Sequence, residues 1–141
     1  MFKKILVPID GSHYSQRALV KALELAKVFE AEILVLHVTY TPEALGYTLA
    51  KDASVLQDQL AGSGEILLAA TMAEIEKDGV QVRAKQLPGH PAAVIVEEAM
   101  REDSDLIVMG SRGFGPIAGP LLGSVSQRVL QRAKCPVLVV K

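Results

Sequence analysis

The chain has 141 residues, the length of one compact domain, so we expect a single domain over residues 1–141. Half of the residues are apolar and 22% are charged, which is typical of a globular protein and excludes a disordered chain. A net charge of −1 and the lack of Trp argue against binding to nucleic acid.

The first residues of the chain predict a β-α-β unit. The apolar run from Lys4 to Ile9 is ended by Asp10-Gly11-Ser12, as expected of a buried strand followed by a turn. Apolar residues at spacings of three and four predict a helix over 15–30. A second apolar run over 33–38 is rich in branched side chains, which predicts a parallel strand covered on both faces.

The middle of the chain is less regular. Residues 39–64 carry scattered Pro and Gly, and within them 52–60 has the pattern of a helix start. A helix is predicted over 65–77, with Asp78-Gly79 as its stop. Residues 80–87 alternate apolar and polar side chains, which predicts a strand at or near the edge of the sheet.

The last third predicts two further helices and two strands around a loop. The helices fall at 92–101 and 124–134, and the strands at 106–109 and 136–140. Between them, residues 110–123 contain five Gly and two Pro. The alternation of strands and helices predicts a Rossmann-like α/β fold, a three-layer α/β/α sandwich around a five-stranded parallel sheet.

The predicted topology indicates where a ligand binds. In doubly wound sheets the ligand lies outside the carboxyl ends of the strands, where the strand order reverses. Five parallel strands commonly have the order 2-1-3-4-5 or 3-2-1-4-5, and we expect the second. That order makes the first and fourth strands neighbours, and therefore brings Pro8–Ser12 beside Met109–Gly113.

The glycine-rich segment 110–123 is suited to a phosphate group. Glycines permit positive φ and close backbone approach, so successive N–H groups can point at an anion. The helix that follows adds free N–H groups and the positive end of its dipole. Arg112 supplies a cationic fork, and the hydroxyls of Ser124 and Ser126 lie in the first helical turn. The segment matches neither the P-loop nor the dinucleotide fingerprint.

Each of these features also has a purely structural interpretation. The segment 110–123 can be a simple connection, although loops of that length are uncommon inside compact domains. Asp10 can cap the first helix or form an Asx turn. Ser124 and Gln127 have the spacing of a capping box, and Arg112 can be a solvated surface charge.

The remaining ionisable side chains predict no site. His13, His37 and His90 lack the spacing of metal ligands, so we expect no metal held by the protein alone. The single cysteine, Cys135, is expected to be a buried apolar residue, and its lack of a partner indicates a reducing compartment, the cytoplasm. Glu97-Glu98 is expected at an exposed helix end. No apolar run is long enough to span a membrane.

A spaced glycine motif is similar to that of a known family. Gly110, Gly113, Gly123 and Ser124 have the spacing Gly-x2-Gly-x9-Gly-Ser/Thr. Four further segments agree with the same family: Lys3 to Ser12, Leu36 to Val38, Gly89-x-Pro91 and Cys135 to Val140. Over its full length the chain resembles the universal stress proteins, in the branch that binds ATP.

The resemblance implies a set of nucleotide contacts. The residue matching Asp10 would hold the ribose, Pro8 and the main chain at Val38 would border the adenine, and Met109 and Gly110 would line the base and ribose. The residues implied around the triphosphate are Arg112, Gly113, Gly123, Ser124, Val125 and Ser126. A divalent ion, Mg²⁺, would bridge the phosphates.

The resemblance also implies how such a protein acts. Family members usually pair as homodimers through the last strand, here Val137 to Val140. The function it implies is that of an ATP-binding regulator of stress physiology that responds to its nucleotide and acts on a protein client, with AMP or ADP as other possible ligands. Two alternatives remain open: a slow or partner-dependent ATP hydrolase or phosphotransferase using Asp10 or Arg112, and a dimeric interaction module that binds no nucleotide.

Overall fold

The computed structural model describes residues 1–41, 50–113 and 121–141. Within them, strands and helices alternate along the chain: β1 (Lys4–Ile9), α1 (His13–Phe29), β2 (Glu32–Thr39), α2 (Ala50–Glu74), β3 (Val82–Pro88), α3 (Pro91–Arg101), β4 (Leu106–Gly110), α4 (Ser124–Arg132) and β5 (Val137–Val140). All strand pairs are parallel, and the order across the sheet is β3-β2-β1-β4-β5. The predicted fold class and strand order are confirmed.

The sheet is covered on both faces, because successive residues of a buried strand point to opposite sides. One core contains Ile5 and Val7 of β1 and packs against α1 and α2. The other contains Leu6 of β1 with Ile107 and Met109 of β4, and packs against α3 and α4. This gives the three-layer sandwich.

The pairing of β1 fixes where its carboxyl end lies. It pairs with β2 from Lys4 opposite Glu32 to Ile9 opposite His37, and with β4 at Ile5 and Leu6. The first and fourth strands are therefore neighbours at the centre of the sheet, and the segments that follow them leave the same edge. As predicted, β3 is an edge strand.

The helix α2 differs from the prediction. The segments 52–60 and 65–77 were expected as separate helical pieces, but α2 is continuous from Ala50 to Glu74 and contains both Gly62 and Gly64. Contacts with the sheet override the weak helix propensity of glycine. The helix also ends before Asp78-Gly79, whose positive φ values of 46° and 86° belong to a later turn. The N-terminal part of the irregular segment, 42–49, lies outside the described residues.

The prediction that Glu97-Glu98 forms an exposed helix end is wrong for Glu98. The side chain of Glu98 is 1% exposed, and Nζ of Lys85 on the neighbouring edge strand donates to its Oε1 at 2.6 Å. Arg101 lies 3.4 Å from the other carboxylate oxygen. A buried carboxylate needs such partners, and the nearer of the two, Lys85, lies on a strand that the helical pattern alone does not reveal.

No helix in the described ranges is both long enough and apolar enough to cross a bilayer.

Candidate functional site

A pocket of about 520 Å³ lies at the carboxyl ends of β1, β2 and β4. The starts of α3 and α4 and one side of α2 also line it. Its size is within the range of small-molecule sites. The structure brings all the residues assigned to nucleotide binding into this one lining: Pro8, Asp10, Val38, Met109, Gly110, Arg112, Gly113, Gly123, Ser124, Val125 and Ser126.

Asp10 stands at the end of β1 and forms an Asx turn. Its Oδ1 accepts a hydrogen bond from the Ser12 N–H at 2.9 Å. The cap of α1 is Ser12, whose Oγ accepts from the Ser15 N–H at 3.2 Å. The structure therefore excludes Asp10 as the cap of α1. The turn uses one carboxylate oxygen, and Oδ2 lies beside Gly113.

Three glycines of the motif lie in closely packed surroundings. A Cβ on Gly113 would overlap Oδ2 of Asp10, and one on Gly110 would stand 2.7 Å from the Cβ of Tyr14. At Gly123 the added atom would lie 3.2 Å from the Cα of Arg112. None of the three has a φ in the left-handed region. The close contacts at these glycines are with other parts of the protein, and positive φ is not used at any of the three. The approach of this backbone to a phosphate stays a prediction.

The start of α4 is organised differently from the predicted capping box. Gly123 is the N-cap, and its N–H donates to the Ser111 carbonyl at 2.8 Å. Ser124 is already helical and caps nothing with its side chain, and the side chain of Gln127 donates to the Leu122 carbonyl at 2.9 Å. The capping-box prediction is wrong because the bond to Ser111 places the cap one residue earlier. The N–H groups of the first turn, which have no partner within a helix, belong to pocket residues.

Ser126 and Arg112 connect the α4 end of the pocket to its surroundings. The hydroxyl of Ser126 is buried and donates to the Gly110 carbonyl at 2.8 Å, which ties α4 to the end of β4. The guanidinium carbon of Arg112 lies 5.6 Å from the ring centroid of Tyr14, a cation–π distance. Arg17 approaches the same ring at 4.8 Å. A phosphate contact from Ser126 would therefore use its backbone N–H.

Sequence reasoning missed the wall that α2 contributes. Leu60, Ser63, Gly64 and Leu67 line the pocket from this helix. Their spacing marks one helical face, but periodicity does not show which end of the sheet that face covers. His37 at the end of β2 was also missed, and its Nδ1 lies 2.9 Å from the Ile9 carbonyl oxygen. Other lining residues that were not predicted are Ile9, Ser15, Leu36, Thr39, Tyr40, Pro91 and Ile95.

The other ionisable groups bear on two further chemistries, metal binding and a reactive thiol. In the described ranges, no group of three or more His, Cys, Asp or Glu side chains is arranged to hold a metal ion. Cys135 is partly buried against the core of α3 and α4, and burial raises the pKa of its thiol, with a smaller contribution from Asp105. A thiol with a raised pKa is a poor nucleophile, which agrees with a packing role.

Comparison with known proteins establishes the family. The model of the universal stress protein family matches residues 1–141. The universal stress protein MJ0531 of Methanocaldococcus jannaschii is 38% identical over 141 residues, which cover 100% of this chain and 83% of that protein. The chain belongs to the universal stress protein family.

Solved structures of similar chains have the same fold. The protein MJ0577 of M. jannaschii is 32% identical, with a TM-score of 0.88 and coverage of 100% of this chain and 96% of that one. A universal stress protein in complex with cAMP is 28% identical, with a TM-score of 0.75 and coverage of 99% and 97%. At least one structural relative of this universal stress protein thus binds an adenine nucleotide.

Proposed function

We propose that this universal stress protein binds an adenine nucleotide in the pocket at the carboxyl ends of β1, β2 and β4, and that it acts as an ATP-responsive regulator. One observation carries the proposal: a single pocket joins the carboxylate of Asp10 to the start of α4. The cAMP complex of a structural relative supports the same ligand class. The proposal contains no chemical step on the nucleotide.

The start of α4 is suited to the phosphates. Ser124, Val125 and Ser126 contribute first-turn N–H groups and the positive end of the helix dipole, a combination that favours anions. Arg112 adds a cationic fork that can bind two phosphate oxygens. Gly113 and Gly123 belong to the same lining, and neither has a side chain that would keep a phosphate away from the backbone.

The opposite part of the pocket is suited to the nucleoside. The carboxylate of Asp10 can accept hydrogen bonds from ribose hydroxyls, because its Oδ2 is not used in the Asx turn. Pro8, Val38 and Met109 add apolar surface for the base. Val38 is 8% exposed, so its backbone is the part able to read the polar edge of the adenine.

Binding of Mg²⁺ to the pocket would require the phosphates of the nucleotide. Asp10 is the one carboxylate in the described lining of the pocket. Mg²⁺ commonly binds through substrate phosphates, water and one or two carboxylates, so this lining fits an ion carried by ATP. ATP with Mg²⁺ is therefore the proposed ligand, and AMP and ADP would share the nucleoside contacts.

The free edge of β5 supports assembly into a homodimer. β5 pairs with β4 along one edge, and its other edge has no strand partner in the described part of the chain. Leu138 is 37% exposed there. An unpaired edge with apolar side chains is a common site of association. The proposed dimer joins two copies through Val137–Val140 in the cytoplasm, where a protein client would read the nucleotide state.

Titration calorimetry of the nucleotide-stripped protein tests the function. ATP, AMP and cAMP are titrated with and without Mg²⁺, and phosphate release is followed in parallel. We expect saturable binding of ATP that Mg²⁺ strengthens, and binding of AMP that Mg²⁺ changes little. Absence of both heat and thermal stabilisation with every nucleotide would overturn the proposal and favour the interaction module.

A further inference from the structure

The backbone of α2 packs against the end of the sheet at Gly64. Of residues 54–74, Gly64 alone is buried. A Cβ at Gly64 would lie 2.5 Å from Nε2 of Gln86 and 2.9 Å from Cδ2 of His37, both too short for a real contact. In the same helix, a Cβ at Gly62 would meet nothing within 4 Å. The glycine at 64 thus brings the helix backbone directly against the ends of β2 and β3.

Gln86 of β3 joins this contact to the pocket. Its Nε2 donates to Oγ1 of Thr39 at 2.7 Å and to the Ala61 carbonyl at 3.0 Å. A carbonyl oxygen only accepts hydrogen bonds, so the amide nitrogen must face Ala61. Thr39 is 7% exposed and belongs to the pocket lining, whereas Gln86 lies outside the described lining. One amide therefore holds α2 to the last residue of β2.

The wall held in this way covers the apolar end of the pocket. Leu60 and Leu67 of α2 line the pocket on the side of β2 and β3, because Gly64 between them packs against His37 and Gln86. Val38 and Tyr40, which end β2 and follow it, line the same side. The start of α4 and Arg112, where charge favours phosphates, belong to the other side of the sheet centre, next to β4. A change in the position of α2 should therefore affect the base end of a nucleotide and not its phosphates.

We propose that Gln86 is a positioning residue for nucleotide binding: together with Gly64 it holds α2 as the wall of the base end, and thereby sets the dissociation rate of the nucleoside part. This inference rests on the proposed function. It predicts that a weakened attachment of α2 lowers affinity by the same factor for nucleotides with one phosphate and with three. Loss of the Arg112 side chain should instead weaken ATP more than AMP.

Two pairs of variants test the attachment. Gln86→Glu keeps the length of the side chain but replaces the donor to Ala61 by a carboxylate oxygen, and Gln81→Glu introduces the same charge at the exposed opposite end of the β3 segment. Gly64→Ala introduces the contact with Gln86, and Gly62→Ala adds the same methyl group to open space. Binding of ATP and AMP is measured by calorimetry and stopped flow, and hydrogen exchange of α2 is measured on the nucleotide-free protein.

We expect Gln86→Glu and Gly64→Ala to weaken ATP and AMP by a similar factor, about tenfold, the equivalent of one buried hydrogen bond, mainly through faster dissociation. Exchange in α2 should also be faster in these two variants. Gln81→Glu and Gly62→Ala should match the unmodified protein. A merely structural role would lower the Tm of the nucleotide-free protein and leave the Kd unchanged.

The outcomes separate the two proposals. If the unmodified protein binds both nucleotides and Gln86→Glu and Gly64→Ala bind them as tightly as their controls, the positioning role is wrong while the function stands. A loss confined to ATP would also overturn it, because the attachment would then act on the phosphates. If the unmodified protein binds neither nucleotide, the proposed function fails, and the positioning role fails with it.

Discussion

Oδ2 of Asp10 lies where a Cβ at residue 113 would have to stand, so Gly113 passes directly over the carboxylate. The other oxygen of Asp10 is held by the Ser12 N–H. The glycine after β4 and the aspartate after β1 thus form one unit, although they are far apart in the sequence. Any side chain at position 113 must move the carboxylate that we assign to the ribose.

Gly113→Ala should therefore weaken nucleotide binding through Asp10. We expect a loss of about 1–2 kcal/mol of binding free energy, the scale of a buried hydrogen bond. In an Asp10→Ala background the same substitution should cost much less, giving a coupling energy above about 0.5 kcal/mol. Calorimetry on the four proteins of this double-mutant cycle measures it. Strict additivity would show that Gly113 acts independently of the carboxylate.

Substitutions at the two ends of the pocket should differ in their dependence on phosphate number. Asp10→Ala should weaken ATP and AMP equally, because both have the same ribose. Arg112→Ala should weaken ATP more, by about tenfold or greater, because charge-assisted hydrogen bonds to the added phosphates are lost. Asp10→Asn retains an oxygen for the turn at Ser12 and is the control for local structure. Equal losses for both nucleotides in both alanine variants would contradict the assignment.

Gly123→Val should block the phosphate end by its bulk. The glycine has a φ of −65°, which valine can adopt, so the folded backbone remains accessible. The added side chain would, however, press on the backbone of Arg112 and Ser111. We expect ATP binding to fall below detection in calorimetry while circular dichroism remains native. Gly123→Ser, with a smaller side chain suited to the N-cap, should retain more affinity. Equal affinity in the valine variant and the unmodified protein would argue against phosphate binding here.

Lys85→Met should destabilise the fold whether or not a nucleotide is bound. It removes the 2.6 Å partner of Glu98, whose side chain is 1% exposed, and leaves a buried charge with Arg101 at 3.4 Å. The expected loss is about 2–4 kcal/mol in the free energy of unfolding by urea. Adding Glu98→Gln should recover part of it. Lys21→Met is the matched control, because its pair with Glu24 is exposed and should be worth less than about 1 kcal/mol.

The same cluster predicts a pH dependence of stability. Hydrogen bonds from Arg83, and then from Lys85, hold the pKa of Glu102 below its ordinary value of 4.5. Its contribution is therefore complete above that value and is lost as the pH falls through the lower, folded-state pKa. Glu102→Gln should be less stable than the unmodified protein at pH 7, and the two should converge once the pH falls below the folded-state pKa of Glu102. Urea unfolding at several pH values measures the difference.

At alkaline pH the sign is reversed for Lys85. The hydrogen bond to Glu98 raises the pKa of Lys85 above its ordinary 10.5, so this contribution is complete below 10.5 and is lost as the pH rises through the folded-state value. The unmodified protein and Lys85→Met should therefore converge at the alkaline end. A difference in stability that stays constant as the pH rises through the folded-state pKa of Lys85 would contradict the charged pair as its cause.

Much of this protein could be predicted from its sequence, because burial leaves a local pattern. The apolar runs at Lys4–Ile9 and Leu106–Met109, with helical spacing between them, predicted a parallel sheet covered on both faces. The predicted strand order brought the segment after β1 beside the segment after β4, and the resemblance to the family assigned the individual nucleotide residues, all of which line one pocket. Local order and topology suffice for the placement of the two segments, since parallel strands end at a common edge.

The side-chain contacts between helices and strands could not be predicted from the sequence and became apparent only in the tertiary structure. Periodicity did not show that Gly64 is a packing site inside a continuous helix, that Gln86 bonds to α2, or that Glu98 is buried beneath Lys85. Each depends on a partner that is remote in sequence, so no local pattern encodes it. The sequence thus determined the class of fold and the location of the pocket, and the packing of α2 and α3 on the sheet decided the shape of its walls and the charges buried near its edge.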